Sequence, residues 1–101
     1  MPNGYQRMWT VIRGLRVFTS RDVEQLAEVR KDAAKKYIHA LMRAGYLKVV
    51  GKVRPGPMGA PLRKYRLLKD TGPRHPVYCW RTGVLRDPNT GEVRRWAGSK
   101  S

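Results

Sequence analysis

The sequence predicts an α+β fold: three amphipathic helices, a basic two-stranded hairpin, and a turn-rich C-terminal extension. Three observations carry this prediction. Apolar residues recur at helical spacing up to Gly45, the period then changes to that of strands, and chain breakers crowd the segment after Asp70. A chain of 101 residues suits one core with an extension, and its 41% hydrophobic content argues against wholesale disorder.

The first helix is expected over Tyr5 to Arg13, where Tyr5, Met8, Trp9 and Ile12 form one apolar face and Gly14 supplies a stop. Trp9 is expected in the core. Leu15 to Phe18 is too short for another helix and can form a short strand. Thr19 or Ser20 then caps a second helix. Thr19 with Asp22 three residues on matches a capping box, and Val23, Leu26 and Ala27 supply the buried side. The third helix is expected from Arg30 to Ala44, with Ala34, Tyr37, Ile38, Leu41 and Met42 as its apolar stripe and Gly45 at its C-terminal cap. Asp32, Lys35, Lys36, His39 and Arg43 lie on the other side. That face is nearly free of acids, and Asp32 sits in the first turn, where the helix dipole favours it.

Tyr46 to Arg54 reads as a strand with Leu47, Val49 and Val53 on one side and Lys48, Lys52 and Arg54 on the other. After the loop Pro55 to Pro61, the segment from Leu62 to Lys69 returns with Tyr65 and Leu67 on one side and Lys64 and Arg66 on the other. The hairpin carries seven basic residues between Lys48 and Lys69 and no acid. Beyond Asp70, Val77 to Trp80 reads as a short strand, and the arms 84–86 and 92–95 can pair across the turn Asp87 to Gly91. The expected division is therefore 1–70 as a folded domain and 71–101 as a basic extension separable from it, with Trp80 and Trp96 packing on the domain or, with Arg81, Arg86, Arg94 and Arg95, making a contact surface.

Twenty-two Lys and Arg stand against seven Asp and Glu, a formal charge of +15, and such a surface suits a polyanionic partner. The single cysteine, Cys79, excludes an intramolecular disulfide and a multi-cysteine zinc cage. No apolar run approaches the roughly 18 residues of a membrane span, and no secretory signal is visible. A cytoplasmic protein with no membrane partner is expected.

The order of elements, with Phe18-Thr19-Ser20, Val23, Leu26-Ala27, Val29, Ala34, Ile38, Leu41 and Ala44-Gly45-Tyr46-Leu47, resembles the winged helix-turn-helix family over residues 5–70. The resemblance implies that the third helix reads the DNA major groove through Lys31, Asp32, Ala33, Lys35, Lys36, His39 and Arg43, while Lys52, Arg54, Arg63 and Lys64 on the wing meet phosphates or the minor groove. The sequence departs from the family at two places. Glu28 stands where many members have glycine, so a turn of different shape is expected, and Arg30 replaces the small residue that normally caps the recognition helix. The phrases Thr-Gly-Pro-Arg-His-Pro and Asp-Pro-Asn-Thr-Gly are similar to tails of small phage or prophage DNA-binding proteins.

Enzymatic and metal chemistry are poorly supplied. His75 and Cys79 lack a second ligand pair, seven acids give little paired-carboxylate chemistry, and Gly51-Lys52 lacks the remainder of a phosphate loop. The function expected is a double-stranded DNA-binding protein acting as a transcriptional regulator, non-enzymatic, without cofactor or metal, held at the nucleoid by its DNA, with a homodimer open. The alternatives are an RNA- or ribosome-associated basic protein and a protein-interaction winged helix.

Overall fold

The computed structural model describes residues 4–54, 57, 59–79 and 82–95, apart from the side chain of Arg95. Trp80, Arg81 and Trp96, singled out above, lie outside the described residues. The elements run α1 (Gly4–Leu15), β1 (Val17–Thr19), α2 (Ser20–Ala27), α3 (Lys31–Arg43), β2 (Leu47–Val53), β3 (Leu62–Leu67), β4 (Val77–Cys79), β5 (Val84–Arg86) and β6 (Val93–Arg95). The fold is α+β: three helices with a small antiparallel sheet of order β1-β3-β2, and a second antiparallel sheet of order β4-β5-β6.

Met8, Trp9 and Ile12 bury the expected face of α1. Tyr5 stays 42% exposed, resting on Tyr37 with centroids 5.3 Å apart and stacking on His75 at 6.2 Å. Gly14 does not end the helix, which continues to Leu15. A Cβ at Gly14 would meet nothing within 4 Å, so glycine there costs only helix propensity, about 1 kcal/mol against alanine. The stop comes two residues later from Arg16 at φ 68°, whose carbonyl accepts from the Leu67 amide at 2.8 Å as β1 enters the sheet.

The capping box of α2 is complete: Thr19 Oγ1 accepts from the Asp22 amide at 3.3 Å, and the Thr19 amide donates to Asp22 Oδ2 at 2.9 Å. Val23 and Ala27 are buried, but Leu26 is 60% exposed, against expectation. At 100° per residue Leu26 lies about 80° from the line midway between Val23 and Ala27, and an eight-residue helix packed on that line leaves it in solvent. The turn into α3 keeps the left-handed residue despite the missing glycine: Glu28 adopts φ 54°, ψ 53°. Its cost, about 1–2 kcal/mol for a side-chain-bearing residue, is met by support from α1, where Arg7 donates from Nε to the Ala27 carbonyl at 2.8 Å and from Nη2 to the Glu28 carbonyl at 3.5 Å.

Arg30 caps α3 with no side-chain hydrogen bond, as its residue type requires. Ala34, Tyr37, Ile38 and Leu41 are buried with Ala40, and Met42 is half-buried. The helix ends in a Schellman motif. The Tyr46 amide donates to the Leu41 carbonyl at 2.9 Å, the Gly45 amide to the Met42 carbonyl at 3.1 Å, and Gly45 takes φ 89°.

Strict alternation fails in β2. The register slips between Val49 and Gly51, so Val50 is an extra residue in the ladder. Leu47 is buried while Val49, Val50 and Val53 are each about 40% exposed. In β3, Tyr65 and Leu67 face the core as expected, with Tyr65 stacked on Phe18 at 5.9 Å.

The pairing of 84–86 with 93–95 across the Asp87 turn is present, and β4 adds a third strand. Residues beyond Asp70 share the core of the helices. Leu85 belongs to the same buried cluster as Trp9, Tyr37 and Leu41. Trp9 Nε1 donates to the Gly72 carbonyl at 2.8 Å, Tyr37 Oη to the Pro76 carbonyl at 3.1 Å, and Tyr46 Oη to Asp87 Oδ2 at 2.7 Å. Asp70 therefore lies between two sheets, and Leu85 of the second, in the segment expected as an extension, joins the core of the helices.

Two outcomes follow for stability. A chain ended at Asp70 should lose its cooperative melt near the full-length temperature, because three buried aromatic donors lose their acceptors at about 1–3 kcal/mol each; thermal unfolding by circular dichroism checks this. Burial by itself would raise the Asp87 carboxyl, but hydrogen bonds from Thr71, Tyr46 and Asn89 outweigh it and hold the group below the usual range. A carboxyl depressed in the folded state stabilises fully above its unfolded pKa of about 3.9 and loses that contribution as pH falls through the lower folded value. Melting temperature measured from pH 7 to 2 should therefore fall in acid, and less steeply in Asp87→Asn, which starts from a lower plateau.

Candidate nucleic-acid interface

Asp32 is the one acid within the predicted binding set, and four others are engaged elsewhere. Asp22 is held in the capping box, Asp87 is buried, Asp70 pairs with Arg13 at 2.8 Å and Arg16 at 3.3 Å, and Glu92 pairs with Lys69 at 2.7 Å and Arg94 at 3.5 Å. Lys69 and Arg94 hold the Glu92 carboxyl below its usual value. Lys31, Lys35, Lys52, Arg54, Arg63 and Lys64 form no ion pair among the described residues.

Lys31, Asp32, Lys35, Lys36, His39 and Arg43 are all exposed along α3, and Ala33 is half-buried. The last two touch: Arg43 Nε donates to His39 Nε2 at 3.2 Å, an i, i+4 contact along the helix. Lys35 and His39 meet Arg63 of β3 around one open cleft of about 320 Å³, with Ser20 at its lip and Ile38, Met42, Leu62 and Tyr65 among its apolar lining. Two of the sequence-predicted sets thus converge through these three residues. Lys31, Asp32, Lys36 and Arg43 belong to the helix surface outside that cleft lining.

The wing set divides. Lys52 is the register partner of Arg63, so the two share a face of the sheet. Lys64 follows Arg63 directly and points to the other face, where it lines a second cleft of about 260 Å³ with Arg21, Asp22 and Val53. Arg54 is exposed just beyond β2.

Sequence reasoning missed the pairing of charges across the hairpin. Lys52 lies opposite Arg63 and Lys48 opposite Arg66, two like-charge pairs in one short ladder. Each costs a fraction of a kcal/mol in the free protein. The basic run from Lys48 to Lys69 was visible, but the Val50 bulge sets which cations face one another, and no residue type announces that bulge. The apolar lining of the cleft was missed for the same reason, since it depends on how β3 approaches α3.

The remaining candidates show their partners. His75 Nδ1 lies 2.9 Å from Gln6 Oε1, and burial lowers the imidazole below its usual pKa. Cys79 is exposed, and no group of three or more His, Cys, Asp or Glu that could hold a metal ion occurs among the described residues. No helix among them is long and apolar enough to cross a membrane.

The like-charge ladder makes a directional prediction. Lys52→Glu converts the pair with Arg63 to an opposite-charge pair and should raise stability by about 0.2–1 kcal/mol, seen as a higher melting temperature. The same change should weaken binding to any polyanion.

Comparison of the chain with models of known families, with curated proteins and with solved structures finds no match in any of the three.

Proposed function

We propose that the protein binds double-stranded DNA as a winged helix-turn-helix module and acts as a transcriptional regulator. In this reading α3 lies in the major groove, wide enough at about 12 Å to admit a helix, and Lys31, Asp32, Lys35, Lys36, His39 and Arg43 face base edges and flanking phosphates. The β2–β3 hairpin is the wing, and Lys52, Arg54 and Arg63 hold the backbone. Lys64, on the opposite face, takes a phosphate only if the duplex reaches around the hairpin.

The observation that carries the reading is the convergence of Lys35 and His39 from α3 with Arg63 from β3 on one cleft, beside Lys31, Lys52 and Arg54, which form no ion pair among the described residues. A merely solvated basic surface would gain from interspersed acids, as Arg13, Arg16, Lys69 and Arg94 do from Asp70 and Glu92. The like-charge pairs Lys52–Arg63 and Lys48–Arg66 have the same sense. Their repulsion in the free protein is relieved when a phosphate backbone approaches, so binding recovers what folding lost.

Duplex affinity should fall steeply with salt. Neutralising about 5–7 phosphates gives a slope of log affinity against log salt of about −4 to −6, measured by fluorescence anisotropy on a random duplex. A slope near zero, or preference for structured RNA in competition, overturns the proposal.

Sequence reading is tested on α3. Alanine at Lys35, Lys36 and His39 should leave the melting temperature nearly unchanged, because all three side chains are exposed and alanine favours helix. Its affinity for a duplex selected from random DNA should drop more than its affinity for unselected duplex, by about 1–3 kcal/mol per lost base contact. An unchanged ratio of the two affinities would mean that this helix holds DNA without reading it.

A further inference from the structure

The cleft between α3 and the hairpin is more than a row of phosphate contacts. We propose that it seats one unpaired nucleotide, with the phosphate on Lys35 and Arg63 and the base against Met42, Leu62 and Tyr65. The inference rests on the duplex-binding reading and extends it to duplex ends or extruded bases.

Three observations support it. The cleft holds about 320 Å³, at the small end of ligand pockets at roughly 300–1,000 Å³, the scale of a single nucleotide and far below that of a helix. Its lining is of two kinds. Lys35 and Arg63 are exposed cations without an ion-pair partner among the described residues, whereas Met42, Leu62 and Tyr65 are half-buried and largely apolar. A paired strand passing over the cleft would use the cations and leave the apolar side wet. An unpaired nucleotide covers both, since its base has an apolar face and its phosphate carries the charge. Polar groups at the margin complete the set: Ser20 and His39 line the same cleft and can meet the edge of a base by hydrogen bonding.

The test uses the full chain and three DNA probes: a blunt duplex, and the same duplex with a single unpaired 2-aminopurine nucleotide at either its 5′ or its 3′ end. One overhang probe should bind about tenfold more tightly than the blunt duplex, within the range that base–aromatic stacking supplies, and its 2-aminopurine fluorescence should change on binding. Met42→Gln and Tyr65→Leu should remove that preference and leave blunt-duplex affinity unchanged, while Arg63→Ala should weaken all three probes. Tyr65 packs on Phe18, so if Tyr65→Leu fails to fold, Met42→Gln, which keeps the length of a half-buried side chain, decides alone. Equal affinity for blunt and overhang probes, or an overhang preference that survives Met42→Gln, overturns the nucleotide seat and leaves duplex binding standing. Failure of all three probes to bind at moderate salt overturns both.

Discussion

The hydrogen bond from Tyr46 Oη to the buried carboxylate of Asp87 is the constraint on which the rest of the molecule depends. Tyr46 is the residue whose amide closes the Schellman motif of α3, so the end of that helix and the hydroxyl that grips the second sheet belong to one residue. Its carbonyl accepts from Leu68 at 2.8 Å and Lys69 at 3.3 Å, which fixes the exit of β3. Trp9 of α1 meets its ring edge-on at 6.1 Å, and Lys69 Nζ lies 5.2 Å from its centroid. Burial and the bond to Asp87 raise the Tyr46 phenol, so it remains a donor throughout the working range of pH. A buried carboxylate without such donors would be costly, and Asp87 has Thr71 and the Asn89 amide as well.

Charge follows from this interior. Asp87 is consumed by the core, Asp70 and Glu92 tie the ends of α1 and β3 to local cations, and Asp22 nucleates α2. What is left on α3 and the hairpin is almost wholly positive. The same allocation stabilises the fold and leaves Lys35 and Arg63 of the cleft without an ion pair among the described residues. The like-charge ladder of β2 and β3 shows that stability has not been maximised on this side, a pattern expected where a surface must meet an anion.

Much of the local structure was legible. The Thr19–Asp22 box, the stripe of α3 and the Gly45 stop each rest on chemistry within a few residues, and each is present. The failures are all long-range. Gly14 reads as a breaker, but the helix end is set by where Arg16 joins β3. Leu26 reads as core, but α2 has room to bury only one line of side chains. The Val50 bulge shifts the faces of β2 and puts Lys52 opposite Arg63, while Lys64 parts from Arg63 by the simple alternation of β3. Asp87 looks like an ordinary turn residue, and only the approach of Tyr46 and Thr71 makes it a buried anchor. Turn composition changes at Asp70 and the two sheets divide there, but composition says nothing about which core Leu85 enters.

The α2–α3 turn shows how far such compensation reaches. Without glycine at Glu28 a relaxed turn would rotate α3 relative to α2. Here the left-handed conformation is kept, and the guanidinium of Arg7 on the two carbonyls at the end of α2 holds it from outside the turn. Helix α3 is therefore positioned at both ends by other elements, by α1 through Arg7 at its start and by the second sheet through Tyr46 at its finish. A helix held at both ends presents Lys35 and His39 at a fixed distance from Arg63, and the cleft between them keeps one width. The proposed DNA reading draws on that positioning, since telling one arrangement of phosphates and bases from another requires the contacting side chains to be held in place.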